Sequence, residues 1–390
     1  MKVVYLHQYF KTNASAGGTR SYEFSMHLLE QGIDVNIITG MKADPEEEDL
    51  KNKVFSTGTR YHNTMSKWRR IFAFLEYNLK AVSMGKKIRD GDLIFATSTP
   101  LTIGLPGVWL SKKLKKPLVF EVRDVWPDVP VELGYIKNPL LIKVLKKFEL
   151  WIYNNAEHVI VLSEGMKKNL LKKGVVGKKL TVIENMANLS LYENYRDEKP
   201  KDTFTCIHPG TMGHVNGLDF VLDAAKILME KDSEIRIDLI GEGKEKNRLR
   251  QRVEAEGITN VSIRDAMPKK EVVRQIQKAH VGIMCVDNRY PILEDNSANK
   301  FFDFLAAGLP IMINYKGWQK EALEEHRCGG AYLTPGEMAE GILELKGNPE
   351  LQKNLGENSR KLAEEAYSDL LAKEKFEAVI RAAAENRTNQ

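Results

Sequence analysis

The sequence predicts an α/β protein made of two doubly wound units in tandem. With 390 residues, the chain is long enough for two domains that each bury a sizeable core. Short apolar runs alternate with amphipathic segments in both halves, as is typical of parallel sheets covered by helices. Between the halves, residues 186–202 lose this periodicity and gain charge, which predicts a linker there.

The first half is predicted to alternate strands and helices from its start. The predicted strands are 2–6, 35–38, 92–96, 117–122, 158–162 and 180–183, and the predicted helices are 19–31, 67–89, 105–113, 140–154 and 164–173. The loop from Lys11 to Gly18 joins the first strand to the first helix and contains the pair Gly17-Gly18. Its N–H groups and the helix N-terminus could hold an anion, but a flexible connection explains the glycine pair equally well. The G-x-G-x-x-G spacing of a dinucleotide site is absent.

The second half repeats the alternation without obvious sequence repeats. The predicted strands are 204–208, 235–240, 261–263, 281–286 and 311–313, the predicted helices are 218–229, 248–257 and 270–279, and residues 349–390 are largely helical. A glycine-rich loop, Pro209 to Gly217, follows the first of these strands. Gly241 and Gly243 follow the second strand as in a dinucleotide site. Position 246, where a third glycine would stand, is Lys, which weakens a nicotinamide-binding interpretation.

The stretch DNSANKFFDFLAAGLPIMIN, from Asp295 to Asn314, combines a loop, a helix, a tight turn and a strand. Gly308 and Pro310 are the residue types that end helices, and the run after them is typical of a buried strand. Two acids, Asp295 and Asp303, stand eight positions apart. On pattern alone, the stretch equally describes a helix–strand unit of any α/β protein.

The net charge of +5 conceals a difference between the two halves. Residues 1–190 contain 29 Lys and Arg against 19 Asp and Glu, whereas residues 191–390 contain 29 against 34. A basic half indicates contact with something anionic, such as a membrane surface or nucleic acid. The basic amphipathic segment 67–89 can cover the sheet or lie at a membrane surface with Trp68 at the headgroups. We see no nucleic-acid-binding module, so we rank nucleic acid last.

The sequence also predicts the compartment. No apolar run approaches the ~20 residues of a membrane-spanning helix, and the N-terminus lacks the features of a signal peptide. Cys206, Cys285 and Cys328 lie far apart, which disfavours disulfides and a zinc site. The acidic run 44–49 is typical of a solvated loop. We therefore expect a cytoplasmic protein, peripheral at the inner face of the membrane, with no cofactor and no metal centre.

Longer motifs run through nearly the whole chain. They are GGTRSYEFSMHLLEQGIDVNIIT, FEVRDVWPD and LSEGMKKNL in the first half, and PGTMGHVNGLDFVLDAA, LIGEGKEKNRL and NSANKFFDFLAAGLPIMI in the second. Together they resemble the retaining glycosyltransferases of family 4. RDVWPD and SANKFFDFLAAG resemble the branch that builds bacterial surface polysaccharides such as O-antigen and capsule, often from N-acetylated aminosugar or deoxysugar donors.

This resemblance implies the GT-B fold, in which two Rossmann-like domains face each other across an inter-domain cleft. It implies an acceptor-side domain over residues 1–188 and a nucleotide-sugar-binding domain over 200–369. The helix at about 370–390 is expected to pack back on the first domain.

The resemblance also assigns roles to the two acids. The family carries two glutamates eight positions apart, which correspond to Asp295 and Asp303 here. The second binds the ribose hydroxyls of the nucleotide, and Asp303 can keep that role because an ionised carboxylate accepts two hydroxyl hydrogen bonds. The first lies near the donor sugar, a role implied for Asp295 or the adjacent Glu294.

The loop that should hold the diphosphate departs from the family pattern. The family's arginine and lysine are replaced by His214 and Asn216. Because departure of a diphosphate needs positive potential, Lys300 is the predicted substitute, helped by helix-start amides, with Arg289 second. The alternative interpretation of Lys300 is a surface lysine. The predicted donor-binding residues are Asp303, Gly213, His214, Asn216, Glu242, Arg264, Asn299 and Arg289.

On the acceptor side, the family's sugar-contacting histidine is replaced by Arg123-Asp124. Asp124 could orient the acceptor hydroxyl or accept its proton late, while Arg123 holds an acceptor phosphate or orients Asp124. An internal Arg–Asp pair that shapes the loop is equally consistent with the sequence. The predicted phosphate or acceptor loop consists of Gly17, Gly18 and Arg20. The predicted catalytic residues are Asp124, Arg123, Lys300 and Asp295.

Three functions remain open at this point. The first is a retaining glycosyltransferase that uses a UDP-sugar and a glycan acceptor, carried on a polyprenyl diphosphate lipid at the anionic inner face of the membrane. The second is an epimerase that changes a UDP-sugar and needs no acceptor. The third is a non-catalytic nucleotide-sugar-binding partner of an assembly complex, which the altered phosphate loop keeps possible.

Overall fold

The chain folds into two compact units. A computed structural model of the protein describes residues 1–12, 19–41, 48–61, 65–193, 199–200, 202–232 and 234–386. The first unit contains Met1–Glu184 and the chain from Ala372 onward, and the second contains Asn185–Leu371. Each is built around a parallel sheet, so the predicted pair of α/β units is confirmed.

The first unit contains a seven-stranded sheet in the order β3-β2-β1-β4-β5-β6-β7. Its strands are β1 (Lys2–Leu6), β2 (Asp34–Thr39), β3 (Val54–Ser56), β4 (Leu93–Thr97), β5 (Leu118–Val122), β6 (His158–Val161) and β7 (Leu180–Val182). Strands β1, β4 and β5 are almost continuous runs of buried side chains, as expected of parallel strands covered on both faces. The order reverses between β1 and β4, so the ends of these strands border a crevice.

Helices cover both faces of this sheet. They are α1 (Arg20–Glu30), α2 (Glu48–Lys51), α3 (Lys67–Gly85), α4 (Gly104–Leu114), α5 (Asp128–Glu132), α6 (Pro139–Asn155) and α7 (Glu164–Lys172). Local sequence sets several of their starts. The Asn138 side chain accepts from Leu141 N and is followed by Pro139, and Ser163 accepts from Met166 N at the start of α7.

The second unit contains a six-stranded sheet in the order β10-β9-β8-β11-β12-β13. Its strands are β8 (Phe204–Pro209), β9 (Ile235–Ile240), β10 (Val261–Arg264), β11 (Val281–Met284), β12 (Ile311–Ile313) and β13 (Gly329–Ala331). Its helices are α8 (Asp219–Lys231), α9 (Lys246–Ala255), α10 (Lys269–Lys278), α11 (Asn299–Ala306), α12 (Trp318–Glu325), α13 (Pro335–Gly347) and α14 (Pro349–Ala366). Here the strand order reverses between β8 and β11, which places the ligand crevice beyond their carboxyl ends.

The last helix, α15 (Asp369–Glu385), contributes to the core of the first unit from Ala372 onward. Its buried residues include Ala372, Phe376 and Ile380, spaced four apart along one face. The Phe376 ring stacks on Phe24 at 4.2 Å and meets Phe95 edge-on at 5.0 Å.

The sequence predicts most elements to within a few residues. It misses the strands β3 and β13 and the helices α2, α5, α12 and α13. Strands β3 and β13 are edge strands without a buried residue, so they lack the apolar run that predicts the equally short β12. The predicted helix 67–89 ends at Gly85. Within the described residues, no helix is long and apolar enough to cross a membrane.

Candidate functional site

The site predicted in the second half lies at the switch point of the six-stranded sheet. The loop from Gly210 to Gly217 follows β8, and the segment from Cys285 onward follows β11. The two segments are tied together, because Asp287 N donates to Val215 O at 2.8 Å. Asn314, just after β12, donates to Val286 O and accepts from Val286 N, both at 2.9 Å. Three strand ends therefore share one fixed edge.

Glycines allow two loops to stack at this edge. Gly210 has a φ of +132°, and its N–H donates to Ile240 O at 2.8 Å. A Cβ added at Gly241 would lie 1.7 Å from Gly210 O, and one at Gly243 would lie 2.1 Å from Met212 O. The close approach of the two backbones therefore requires glycine at both positions.

We expect the variant Gly241→Ala to lose roughly 1–3 kcal/mol of stability, because the added methyl must displace the backbone of the neighbouring loop. Thermal unfolding of the full-length chain measures the loss. Gly336→Ala is the matched control, since nothing lies within 4 Å of a Cβ there and α13 continues through it. Equal melting temperatures for the two variants would contradict the close approach.

Lys300, the second residue of α11, lies against this glycine loop. A Cβ at position 210 would be 3.2 Å from Lys300 Nζ and 3.3 Å from its Cε, so the side chain covers Gly210. The ammonium group donates to Nε2 of His208 at 2.9 Å. Lys300 is half-buried. The side chain is thus held over the loop that the sequence predicts to bind phosphates.

His208 fixes the direction of the Lys300 side chain. Its Nδ1 lies 3.0 Å from Ile283 O, and because a carbonyl only accepts, Nδ1 carries the proton and Nε2 accepts from Lys300. Burial and the Lys300 charge hold the pKa of His208 well below its usual range, so the ring is neutral. Burial lowers the pKa of Lys300 to about 8. The neutral His208 ring therefore positions the Lys300 ammonium, whose pKa is about 8.

Asp303 lies three residues after Lys300, on the same side of α11. Its two carboxylate oxygens accept from Lys269 Nζ, the first residue of α10, at 2.5 and 2.6 Å. Burial raises the pKa of Tyr192, and the nearby Asp303 carboxylate raises it further. Asp303 is 8% exposed. Each of its oxygens has two acceptor positions, so the ion pair leaves room for hydroxyl donors.

A pocket of about 350 Å³ opens between the loop after β8 and the segment after β11. Gly213, His214 and Arg289 line it, and Asn216 accepts from Gly213 N at 3.2 Å. Arg289 is 69% exposed on its side chain and donates to both oxygens of Asp287. The structure therefore brings His214 and Arg289 to one pocket and gives Asn216 a role in shaping its loop.

Four other predicted residues lie on neighbouring segments. Lys246 donates to the exposed Glu242 carboxylate. Arg264 donates to Asp238 at 2.7 Å and to Gln275 at 3.1 Å. Asn299 is exposed and begins α11, and Asp295 is the half-buried last residue of a 3₁₀ turn from Pro291. Neither Glu242 nor Arg264 lines the pocket. Both are tied to the glycine loops through the main chain, because Met212 N donates to Glu242 O at 2.8 Å and Gly241 N donates to Arg264 O at 3.1 Å.

In the first unit, the predicted acceptor-side residues divide into two groups. Arg123 and Asp124 follow β5. The main-chain N–H of Arg123 donates to Ser98 Oγ at 2.9 Å, and Asp124 is exposed to solvent. Arg20, in contrast, is buried. It donates to Glu121 Oε1 at 2.9 Å, to Ile183 O at 2.8 Å and to Glu184 O. The predicted phosphate-binding role of Arg20 is therefore replaced by a structural one, and Gly17 and Gly18 lie outside the described residues.

Comparison with known families decides the class of this protein. Residues 17–191 match the model described as Glycosyltransferase Family 4, and residues 193–362 match the one described as Glycosyl transferases group 1. Together the two matches span both units. The chain belongs to glycosyltransferase family 4.

The similarity to individual proteins is distant in sequence and extensive in length. The glycosyltransferase is 20% identical over 383 residues to alpha-monoglucosyldiacylglycerol synthase of Streptococcus pneumoniae, covering 89% of this chain and 84% of the other. The crystal structure of Anabaena HepE in complex with UDP-glucose matches with a TM-score of 0.72, 14% identity and coverage of 98% and 100%. That of WaaG, a glycosyltransferase involved in lipopolysaccharide biosynthesis, matches with a TM-score of 0.70, 14% identity and coverage of 97% and 99%. The predicted GT-B fold is confirmed.

Sequence reasoning misses three residues that shape the sites of this glycosyltransferase. His208 ends the apolar run FTCIH before a glycine loop, and a polar residue at the end of a buried strand is a usable signal. Lys269 and Glu121 carry no such signal. Lys269 looks like any lysine at a helix start, and Glu121 looks like an alternating strand residue although it is fully buried.

Proposed function

We propose that this glycosyltransferase is a retaining enzyme that moves a hexosyl group, an N-acetylated aminosugar or a deoxysugar, from a UDP-sugar to a glycan acceptor. The observation that carries the proposal is the placement of Lys300 over Gly210 at the switch point, with Asp303 on the same side of α11. A cation and a carboxylate one helical turn apart suit a diphosphate and the ribose next to it.

The donor is proposed to bind through α11 and the loop after β8. The Lys300 side chain and the main-chain N–H groups of Asn299 and Lys300, at the start of α11, face the diphosphate. Asp303 accepts hydrogen bonds from the ribose hydroxyls. Arg289 and His214 border the neighbouring pocket, and Arg289 adds positive potential there.

The chemistry requires negative charge to be stabilised where it develops. The bond from the anomeric carbon to the diphosphate oxygen breaks, and that oxygen takes the bonding electrons. Lys300, charged at neutral pH, stabilises this charge. The acceptor hydroxyl forms the new bond from the face that the nucleotide leaves, and its proton passes to a leaving phosphate oxygen. Asp295 and, on the acceptor side, Asp124 are the carboxylates proposed to orient the reacting hydroxyls.

The proposed acceptor is a glycan carried on a polyprenyl diphosphate lipid, in the synthesis of a bacterial surface polysaccharide. Two comparisons support this choice. The Streptococcus relative is named for a diacylglycerol lipid product, and WaaG acts in lipopolysaccharide biosynthesis. The bound UDP-glucose of HepE supports a UDP-sugar as the donor.

The experiment is incubation of the full-length protein with a panel of UDP-sugars, with and without lipid-linked and free glycan acceptors. Mass spectrometry identifies the products, and NMR of the new glycosidic bond gives its anomeric configuration. Product formed only with acceptor, with the donor's configuration kept, is the expected result. A changed sugar without acceptor would instead identify an epimerase, and ligand-dependent thermal stabilisation without turnover would identify a binding protein.

Asp303 and Lys269 allow a paired test of the donor site. We expect Asp303→Ala to weaken UDP-sugar binding roughly tenfold to a hundredfold, because hydrogen bonds to a charged group are lost. Lys269→Met should change binding only a few-fold, since the carboxylate remains. Isothermal titration calorimetry measures both affinities, and thermal unfolding without ligand checks that each variant is folded. Equal losses of UDP-sugar affinity in the two variants would show that Asp303 acts only through its ion pair with Lys269.

A further inference from the structure

Helix α3 carries apolar residues on two opposite faces. One face is buried in the first unit and includes Ala73, Tyr77 and Ala81. The other face consists of Trp68, Ile71, Phe72, Leu75 and Leu79, which are between 46% and 74% exposed. At 100° per residue these five lie within a narrow stripe directly opposite the buried face. The side of α3 that should be polar in a surface helix is therefore apolar.

The exposed stripe continues onto two more helices. Lys86, immediately after α3, is about five turns on from Trp68 and shares its face. Its Nζ lies 4.5 Å from the centre of the Trp109 ring on α4. Lys112 of α4 in turn lies 5.8 Å from the Trp151 ring on α6. The stripe on α3 is thereby joined to a surface on α4 and α6.

Helix α6 adds a second exposed apolar stripe. Leu140, Leu141 and Val144 are between 47% and 71% exposed. We call the combined surface the docking face. It consists of Trp68, Ile71, Phe72, Leu75, Leu79, Trp109, Leu140, Leu141, Val144 and Trp151. The exposed apolar side chains are thus grouped on three adjoining helices, whereas the exposed hydrophobic residues of a monomer are normally scattered singly.

The charges around the docking face are almost all positive. Helices α3, α4 and α6 together contain nine Lys and Arg against two acids. Of those acids, Glu149 is buried beside Lys173 and Glu76 pairs with Lys80. Lysines are depleted in the cores of protein–protein interfaces, whereas apolar and tryptophan side chains with a cationic border are typical of helices that lie in a bilayer surface.

We propose that the docking face binds the surface of an anionic lipid bilayer, with its apolar side chains at the level of the headgroups and its lysines and arginines on the lipid phosphates. The complementary charges select anionic lipid, and the apolar stripe supplies burial that does not depend on salt. This inference does not depend on the reaction that the second unit carries out.

Vesicle co-sedimentation of the full-length protein tests the proposal. The vesicles are phosphatidylcholine alone, or phosphatidylcholine with about one third phosphatidylglycerol, at low and at high salt. We expect binding to the anionic vesicles, weakened but not abolished by salt. The triple variant Trp68→Ser, Phe72→Ser, Leu79→Ser should lower the partition coefficient at least about tenfold.

The control is Leu333→Ser with Leu370→Ser, which removes exposed apolar side chains away from the three helices and should leave vesicle binding unchanged. Thermal unfolding checks the fold of every variant. Absence of vesicle binding by the wild type, or equal binding by the triple variant, would overturn the proposal. A wild-type oligomer that the triple variant converts to a monomer, without vesicle binding, would assign the face to a protein partner instead.

Discussion

Replacing Lys300 with alanine is expected to lower kcat/KM for sugar transfer about 10²- to 10³-fold, the usual loss when one preorganised charge-stabilising donor is removed. The reason is geometric. The ammonium is held over Gly210 by His208, so it is in place before the leaving diphosphate gains charge. The family resemblance implies that His214 and Asn216 stand where the family carries its own cations, and the Lys300 side chain covers Gly210 of the glycine loop.

The matched control is Lys316→Ala, which removes an exposed lysine from the same unit and should keep wild-type rates. His208→Ala should give an intermediate loss in kcat with little change in KM, because the ammonium remains but is no longer held. A Lys300→Ala variant with wild-type kcat/KM on a confirmed substrate pair would remove Lys300 from the mechanism.

The alkaline side of the pH profile offers an independent test. The pKa of Lys300 is about 8, lowered by burial, so the side chain is charged below pH 8 and loses its proton above it. We therefore expect kcat/KM, which reports the free enzyme, to fall as pH rises through about 8. In Lys300→Arg the guanidinium stays charged, so this fall should disappear at a lower overall rate. An unchanged alkaline limb in Lys300→Arg would show that another group titrates.

The largest expected effect on stability comes from the buried Arg20–Glu121 pair of the first unit. The Arg20 side chain is 1% exposed and that of Glu121 is 0% exposed. Arg20→Met leaves the Glu121 carboxylate buried without its cation and should cost about 3–5 kcal/mol. Urea or thermal unfolding of the full-length protein measures the loss. Burial acts to raise the pKa of Glu121, but Arg20 and Arg123 outweigh it and hold this pKa below its usual range.

Two comparisons make this second result specific. Arg20→Met combined with Glu121→Leu removes both charges and should recover most of the loss, since an apolar pair needs no compensation. Glu76→Gln removes the carboxylate from an exposed pair with Lys80 and should change stability by less than about 1 kcal/mol. Because the pKa of Glu121 is lower in the folded protein than in the unfolded chain, its ionisation stabilises the fold. This stabilisation is complete at pH values above the pKa of the unfolded chain, and it declines as the pH falls through the pKa of the folded protein. A loss below about 1 kcal/mol in Arg20→Met would contradict the pair's role.

Lys300 and Arg20 differ in how much of their surroundings the sequence predicts. The position of Lys300 relative to Asp303 is predictable because the two residues stand one turn apart in a helix, and one turn is a distance that sequence spacing fixes. Arg20 is assigned to phosphate because it follows a glycine pair at a helix start. Its real partner, Glu121, is 101 positions away in β5, and no local pattern reports a contact of that range.

The same limit applies at Asp303. The spacing of the two acids predicts its position on α11, but its neighbour Lys269 comes from α10, 34 positions earlier. Long-range contacts of this kind depend on sheet order and helix packing. The alternation of strands and helices, in contrast, is a property of consecutive residues, and this is why the two parallel units are predictable while their internal ion pairs are not.

Helix α15 has a consequence for how the protein is made. Phe376 packs on Phe24 and Phe95, although it follows the whole second unit in the chain. The ribosome synthesises the whole second unit before this aromatic can reach its place, so the first unit waits, incompletely packed, while its neighbour is already able to fold. A chain cut at Glu184 would leave Phe24 and Phe95 uncovered. We therefore expect the first unit to complete its packing only after the second unit has been synthesised.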